Sequence, residues 1–246
     1  MRELYVIGIG AGDPDQVTWQ AVQALRRVDV FFVIGKGEEK QQLVAVRTAI
    51  LDEHRDRPYR IVEIPDPPRD RAPDDYRSTV LDWHERRSLL LEEAFAEAEG
   101  VGGILVWGDP ALYDSTLRMV ERILDRGAQR FEYTVIPGVT SVHALAARHR
   151  TVLHRIGEPV HITTGRRLRE DGLAPGSTVV MLDADCSFTT VPADTHIWWG
   201  AYLGMPEEAL IAGRVGEVGP EIARRRALLR ARHGWIMDIY LLRGPQ

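Results

Sequence analysis

The sequence predicts an α/β fold built around an open parallel sheet. Over the first 65 residues, apolar segments alternate with segments of helical character, in the order LYVIGI, QVTWQAVQALRR, VDVFFVIG, EEKQQLVAVRTAILDEH and YRIVEIP. Strands that alternate with helices are typical of a parallel sheet wrapped by crossover connections. Each predicted strand is a continuous apolar run, which is expected when helices cover both faces of the sheet.

The remaining elements predict two domains. Two further strands of the same kind, in GGILVWGDP and FEYTVIPG, complete an N-terminal α/β domain over residues 1–137, which carries the glycine-rich and Gly-Asp-Pro loops. Beyond it, the helical segment TSVHALAARH precedes the short strands PVHITTG, STVVML and HIWWGAYL, then two helical stretches and a final strand, HGWIMDIYLLRG. This less regular alternation predicts an α+β domain over residues 138–246.

Composition narrows the class of protein. Apolar residues make up 44% of the 246 residues and charged residues 27%, which is the balance of a globular protein. No apolar run approaches the roughly 20 residues of a membrane helix, so we expect a cytoplasmic protein without a membrane partner. The net charge of -5 argues against nucleic-acid binding. Cys186 is the single cysteine, which excludes an intrachain disulfide and a clustered thiolate metal site.

The glycine-rich stretch GIGAGDP, residues 8–14, follows the first strand and raises the possibility of a nucleotide site. A dinucleotide fingerprint needs a third glycine where this chain has Asp13, and an acidic residue where the second strand ends in Gly35 and Lys36. An NADP-dependent oxidoreductase and a noncatalytic nucleotide-binding module therefore remain only as alternatives. In a purely structural interpretation, the glycines permit a tight turn and Asp13 or Asp15 caps the following helix.

Three similar turns end strands of the N-terminal domain, in GIGAGDP, WGDPALYDS and IPGVTS. Ligands of open α/β sheets lie outside the carboxyl ends of the strands, so we expect these turns to converge on one crevice.

With these three loops, the chain resembles the tetrapyrrole methyltransferases, the S-adenosylmethionine enzymes that methylate ring carbons of uroporphyrinogen and the precorrins. The resemblance lies in YVIGIGAGDPDQVTWQAVQALRRVDV, ILVWGDPALYD and IPGVTSVHALAA, with weaker matches in TVVML and MPEEALIAG, and it covers nearly the whole length in order. It implies the two-domain tetrapyrrole methylase fold, with a mixed sheet in the C-terminal domain, and chemistry without a metal.

Within the family, GIGAGDPDQVT, GKGEEK and VWGDPALYDSTLR look most like the deacetylating enzymes that methylate C-1 of precorrin-5 and release acetate to give precorrin-6A. A different precorrin or uroporphyrinogen C-methyltransferase is the alternative.

The resemblance also implies where the ligands lie. S-adenosyl-L-methionine would bind in a trough between the two domains, mainly through backbone and apolar contacts, and leave as S-adenosyl-L-homocysteine. The positions carried over for this donor are Ala11, Trp107, Gly108, Asp109, Leu112, Thr140 and Ser141, and, with a looser match, Met181, Leu182, Tyr202, Leu203 and Ala212. Gly10 and Gly12, in the first loop, would face the tetrapyrrole.

Deacetylation needs water to attack the acetyl group, and a positioned base would help. Asp13, Tyr113 and His143 are the candidates for catalysis, with Asp109 and Asp114 as further carboxylates. For His143, which lies one helical turn beyond the loop, packing inside the protein is the alternative. Because the substrate is a polycarboxylate, we expect a basic rim formed by Lys36, Arg148, Arg150, Arg155, Arg166 and Arg167. A solvated arginine-rich surface is the alternative for that segment, and related enzymes suggest a homodimer.

Overall fold

The computed structural model describes residues 1, 3–35, 41–68 and 75–245. The chain forms two compact units, of which the first comprises Met1–Gly10 and Pro14–Val139. The second comprises Ala11–Asp13 and Thr140–Gln246. Three residues of the glycine-rich loop therefore group with the C-terminal part of the chain, although their neighbours on both sides in the sequence belong to the first unit.

The first unit is built on a parallel five-stranded sheet in the order β3-β2-β4-β1-β5, as the sequence predicts. Its elements are β1 (Glu3–Gly8), α1 (Trp19–Arg27), β2 (Val30–Gly35), α2 (Gln41–His54), β3 (Arg60–Pro65), α3 (Tyr76–Glu97), β4 (Val101–Val106), α4 (Thr116–Arg126) and β5 (Glu132–Ile136). Strand β1 lies between β4 and β5 and pairs in parallel with both. The carboxyl ends of these three strands consequently lie side by side.

Apolar cores cover both faces of the central strands. Along β1, Leu4 and Val6 belong to one core, which includes Phe95 of α3 and Val120 of α4. The alternate residue Ile7 belongs to the other core, on the side of α1 and α2. Side chains of a strand point to opposite faces in turn, so a continuous apolar sequence fills both cores.

The expectation that both faces are covered is wrong for the two edge strands. Most side chains of β3 and β5 are exposed or half-buried, and Ile64 and Ile136 are the buried residue of each strand. An edge strand has a neighbouring strand on one side only, so water reaches its other side and its apolar residues are only partly removed from water.

The start of α1 also differs from the prediction. Thr18 caps the helix, because its Oγ1 accepts a hydrogen bond from the backbone N–H of Ala21 at 3.1 Å. The preceding residues Pro14–Gln16 form a short 3-10 turn. Asp13 and Asp15 therefore do not cap α1, and the loop is longer than the structural interpretation assumed.

The second unit contains a mixed sheet in the order β6-β7-β10-β8-β9. Strand β6 pairs with β7 in parallel, and all the other pairings are antiparallel. Its elements are α5 (Ser141–Arg148), β6 (Val160–Thr164), α6 (Gly165–Asp171), β7 (Ser177–Met181), β8 (His196–Ala201), β9 (Ala209–Arg214), α7 (Val215–His233) and β10 (Asp238–Arg243).

Two helical stretches are predicted before the last strand, and the prediction is wrong for the first of them. Residues Ala209–Arg214 form β9, which pairs along its length with β8. The helix-forming pair Glu207 and Glu208 lies in the turn before this strand, where a Glu208 carboxylate oxygen accepts a hydrogen bond from the N–H of Gly204 at 2.9 Å. Cross-strand pairing therefore overrides the local helical preference.

Within the described ranges, none of the helices combines the length and the apolar character needed to cross a membrane.

Candidate functional site

The three glycine turns of the first unit meet at the carboxyl ends of β1, β4 and β5. A Cβ atom built on Gly138 would lie 2.0 Å from the carbonyl oxygen of Gly108, and one built on Gly8 would lie 2.6 Å from the nitrogen of Gly138. Only residues without a side chain allow backbones to approach this closely. The turns therefore converge, as their positions after neighbouring strands predict.

Backbone hydrogen bonds join the first two turns. Gly10 and Gly108 form an isolated antiparallel bridge, in which Gly108 donates to Gly10 at 2.8 Å and Gly10 donates to Gly108 at 3.3 Å. Both glycines have left-handed backbone, with φ angles of 80° and 62° respectively. This pairing replaces the open phosphate-binding turn that a dinucleotide fingerprint would require.

Asp109 joins the second and third turns. One carboxylate oxygen accepts a hydrogen bond from the N–H of Ala111 at 2.8 Å, and the other accepts from the N–H of Gly138 at 3.0 Å. A carboxylate that accepts two backbone N–H bonds is held in one orientation. Asp109 thus organises the two turns through its side chain, which leaves its backbone as the part available to a ligand.

The residues on either side of Asp109 are partly open to solvent. Trp107 and Leu112 are half-buried, whereas Tyr113 is 45% exposed. Burial raises the pKa of the Tyr113 hydroxyl above its ordinary value, so this group is protonated at neutral pH. Tyr113 is therefore suited to donating a hydrogen bond and poorly suited to acting as a base. Asp114 accepts a hydrogen bond from the N–H of Thr116 at 2.7 Å, at the start of α4.

In the second unit, residues 11–13 lie against the turn after β8. A Cβ atom on Gly12 would lie 2.7 Å from Cγ of Met205 and 3.0 Å from the carbonyl oxygen of Leu203, and one on Gly204 would lie 2.7 Å from the nitrogen of Asp13. Ala11 is buried, and Asp13 is half-buried. Gly204 and Met205 are partners of the loop that are absent from the residues predicted from the sequence. The Gly-Met-Pro turn at 204–206 is the signal that could have indicated them.

Thr140 caps α5 at its N-terminus. Its Oγ1 accepts from the N–H of His143 at 3.4 Å and lies 2.8 Å from Nδ1 of the same residue. His143 is exposed, so the alternative that it packs inside the protein is wrong. The Thr140 hydroxyl orients the His143 ring through Nδ1, and Nε2 takes no part in this hydrogen bond. Ser141 is the first residue of α5 and is half-buried.

The methyl-donor positions that were carried over with a looser match divide into exposed and buried residues. Leu182 follows β7 and is 67% exposed, Met181 is half-buried, and Ala212 of β9 is exposed. Tyr202 and Leu203 are buried, and the Tyr202 hydroxyl donates to the carbonyl oxygen of Trp235 at 2.6 Å. Burial, with the nearby Asp238 and Glu207 carboxylates, raises the pKa of Tyr202 to about 12.

The turn that exposes Leu182 is fixed from inside the protein. The buried Asp183 accepts hydrogen bonds from the N–H of Ser187 at 2.6 Å, from the Ser187 hydroxyl at 2.8 Å and from the Tyr240 hydroxyl at 2.7 Å. Gly165 contacts the same side chain, because a Cβ atom there would lie 2.3 Å from Asp183. The hydrogen bonds of Asp183 therefore fix the turn in which the Leu182 side chain is exposed to solvent.

Backbone strain coincides with several predicted positions. The non-glycine residues with left-handed backbone in the described part of the chain are Tyr113, Arg150, Leu182, Cys186 and Tyr202. Four of these five were named from the sequence as site residues. Such conformations cost roughly 1–3 kcal/mol each and concentrate at functional sites.

Four of the five arginines predicted to form a basic rim are paired with carboxylates. Arg148 in α5 donates to Glu208 at 2.7 Å, and Arg155 lies 3.6 Å from Glu158. Arg166 and Arg167 in α6 both pair with Glu170, at 3.4 Å and 3.0 Å. Arg150 is exposed. These pairs match the alternative of a solvated charged surface, and their role in substrate binding stays a prediction. Lys36 lies outside the described residues.

Among the residues described, no group of three or more His, Cys, Asp or Glu side chains is arranged to hold a metal ion.

Comparison with known proteins identifies the family. Residues 3–219 match the family model of the tetrapyrrole (corrin/porphyrin) methylases. A precorrin-6A synthase (deacetylating) from Sinorhizobium sp. is 47% identical over 249 aligned positions, which cover 99% of this chain and 95% of that protein.

Solved structures agree with this result. A protein from Corynebacterium diphtheriae described as related to cobalamin synthesis (CobF) is 38% identical, has a TM-score of 0.85 and is covered, like this chain, over 100% of its length. Uroporphyrin-III C-methyltransferase from Thermus thermophilus, solved with S-adenosylhomocysteine, shares the fold at 19% identity, with a TM-score of 0.60 and coverage of 98% of this chain and 92% of that one. The chain belongs to the tetrapyrrole (corrin/porphyrin) methylases.

Proposed function

We propose that this protein is an S-adenosylmethionine-dependent C-methyltransferase of corrin ring biosynthesis, which methylates C-1 of precorrin-5 and releases the extruded acetyl group as acetate to give precorrin-6A. The observation that carries the proposal is the 47% identity to a deacetylating precorrin-6A synthase over almost the full length of both chains. Relatives with other activities match less: a precorrin-2 C(20)-methyltransferase is 28% identical over 55% of this chain.

The geometry of the three turns suits a sulfonium donor. Such a donor supplies an electrophilic methyl group and loses its positive charge as the methyl leaves, so a free anion close to it would favour the ground state over the transition state. Asp109 uses both carboxylate oxygens on backbone N–H groups. The turns formed by Gly8, Gly108 and Gly138 offer backbone groups instead.

The proposed donor contacts are those carried over from the family: the backbone of Ala11, Trp107, Gly108 and Asp109, the hydroxyls of Thr140 and Ser141, and the apolar surface of Leu112, Met181 and Leu182. The exposed, left-handed Leu182 supports this assignment, because strain and an exposed apolar side chain at one position are explained by a ligand that covers it. Holding the ring carbon in line with the methyl group then supplies much of the rate through proximity.

For deacetylation, Asp13 and His143 are the stronger candidates for the base. His143 is exposed, and Thr140 fixes the orientation of its ring at Nδ1. Tyr113, whose pKa is raised, fits the role of a hydrogen-bond donor to the acetyl oxygen. In this scheme water attacks the acetyl carbonyl carbon, the base takes the proton of that water, and the bond between the acetyl carbon and C-1 breaks with its electron pair remaining on the ring.

The decisive experiment is incubation with precorrin-5 and methyl-labelled S-adenosylmethionine. We expect one labelled methyl group in the product and one equivalent of acetate, detected by NMR. Methylation without acetate would assign the protein to another precorrin or uroporphyrinogen methylase.

Calorimetry distinguishes the function classes before any turnover is measured. We expect S-adenosylhomocysteine to bind and NADP to give no heat of binding. Tight NADP binding without S-adenosylhomocysteine binding would overturn the proposal in favour of an oxidoreductase.

A further inference from the structure

We propose that a small cavity inside the first unit is a carboxylate site, in which the guanidinium of Arg47 and the indole N–H of Trp107 donate to the same carboxylate group. The cavity lies at the carboxyl ends of β2 and β4, beside the start of α4. The inference rests on the proposed function for the source of its ligand, which is a side arm of the tetrapyrrole or the acetate released by the reaction.

The cavity has the size of such a group. Its volume is about 90 Å³, and a water molecule takes up roughly 30 Å³ in the liquid. It therefore holds an acetate-sized group and is far too small for a ring of the tetrapyrrole. Its apolar walls include Phe32, Ile34, Leu91, Ile104 and Met119. Walls of this kind exclude water around a polar group and strengthen its electrostatic interactions.

Trp107 supplies a donor without an acceptor. Its Nε1 is buried and has no hydrogen-bond partner among the residues described. Leaving a buried N–H unsatisfied costs roughly 1–3 kcal/mol, so such an atom calls for an explanation. An acceptor that enters the cavity removes this cost.

Arg47 supplies the positive charge beside that donor. Its guanidinium carbon lies 5.9 Å from the centroid of the Trp107 ring. Within the described part of the chain, Arg47 makes no hydrogen bond, and no carboxylate lies within ion-pair distance of it. Burial lowers the pKa of Arg47, and Asp114 acts in the opposite direction by stabilising the cation. Two adjacent donors, one of them a cation, suit the two oxygens of a carboxylate group.

The other charged groups of the cavity are already engaged. Arg87 donates to both carboxylate oxygens of Asp66, at 2.7 Å and 2.8 Å. Asp114 accepts the N–H of Thr116 and would repel a second carboxylate. The proposed ligand therefore binds to Arg47 and Trp107, and the positive charge of Arg47 offsets the repulsion from Asp114.

The position of the cavity connects it to the proposed chemistry. Trp107 is followed directly by Gly108 and Asp109, the residues of the middle turn. A carboxylate held by Trp107 would consequently be anchored at the base of that turn. A side arm bound there would fix the position of the ring, whereas bound acetate would make the cavity a product site.

The test follows the indole N–H resonance of Trp107 in protein labelled with ¹⁵N at tryptophan, which is assigned with Trp107→Phe. Sodium acetate and uroporphyrin III, a stable tetrapyrrole polycarboxylate, are titrated in separate experiments. We expect one of them to shift this resonance downfield, and Arg47→Met to weaken that response by roughly 10- to 100-fold, the worth of a charge-assisted hydrogen bond. Arg130→Met, which removes an exposed arginine of the same unit, is the control and should respond like the wild type.

A shift with uroporphyrin III alone identifies a side arm, and a shift with acetate identifies a product site. If neither probe moves the resonance, or if the response survives in Arg47→Met, the proposal is overturned. Both readouts are independent of turnover. Methylation of precorrin-5 with acetate release but an unchanged Trp107 resonance would reject the carboxylate site and leave the proposed function standing.

Discussion

At the scale of single residues, Asp109 illustrates what the sequence can and cannot predict. The Gly-Asp-Pro pattern indicates an important carboxylate and does not reveal its partner, because the N–H of Gly138 lies 29 residues further along the chain. That contact exists only once β4 and β5 have taken their places on either side of β1. Long-range hydrogen bonds of this kind depend on the assembled sheet.

Asp109 holds two turns together and is also proposed to bind the methyl donor, so its replacement should affect both stability and donor binding. Asp109→Ala leaves the N–H groups of Ala111 and Gly138 without their acceptor, so we expect the free energy of unfolding to fall by about 1–3 kcal/mol. Loosening of the two turns should weaken S-adenosylhomocysteine binding by about tenfold, which corresponds to about 1.4 kcal/mol. Urea denaturation and calorimetry measure the two effects.

Asp13→Ala is the matched comparison. We expect it to leave S-adenosylhomocysteine affinity unchanged and to lower turnover of precorrin-5. The opposite pattern, with Asp13→Ala weakening the donor and Asp109→Ala lowering only turnover, would show that the two roles are exchanged.

At the scale of elements, the sequence predicts the parallel strands well and the second unit less well. Continuous apolar runs between helical segments identify β1, β2 and β4 as strands. In the second unit the segment Ala209–Arg214 has no clear period, and its identity as a strand depends on pairing with β8. Nor does the sequence indicate that Arg47 and Trp107 line one cavity, since their separation of 60 residues in the chain carries no motif.

The close approach of the turns gives a prediction that does not depend on any ligand. In Gly138→Ala the added methyl group would meet the carbonyl oxygen of Gly108 at 2.0 Å, and backbone atoms cannot move aside as a flexible side chain does. We expect a loss of at least about 3 kcal/mol in the free energy of unfolding, measured by urea denaturation.

Gly244→Ala is the control for that variant, since nothing lies within 4 Å of a Cβ atom there. It should change stability by less than about 0.5 kcal/mol. Wild-type stability of Gly138→Ala would show that the three turns are not in contact in solution.

At the scale of the whole molecule, two histidines of the second unit predict how stability depends on pH. Burial lowers the pKa of both His149 and His196 from the ordinary value of 6.5. The neutral His149 ring is bonded through Nε2 to the carbonyl oxygen of Trp199 at 2.9 Å, and His196 is further affected by Arg243 and Arg214.

The sign follows from proton uptake. Between the lowered pKa of the folded state and 6.5, the unfolded chain binds more protons, so the free energy of unfolding decreases as the pH falls. The contribution is fully present above pH 6.5 and is lost below it. We expect the free energy of unfolding of the double variant His149→Gln, His196→Gln to decline less steeply than that of the wild type between about pH 7 and pH 5. Urea denaturation at each pH measures this decline.

The exposed His161→Gln serves as the control in the same assay. A decline in the double variant as steep as in the wild type would mean that other groups govern the acid sensitivity.

The assignment of Ala11–Asp13 to the second unit has a consequence for dissecting the protein. No single cut of the polypeptide separates the two units with all their own residues. A fragment that ends at Val139 carries three residues whose partners, Leu203, Gly204 and Met205, are on the other piece. A fragment that begins at Thr140 lacks the short segment that covers this turn. The protein is therefore a poor subject for study as isolated halves. A fusion or split design must keep the glycine-rich loop intact, because its residues belong to both units.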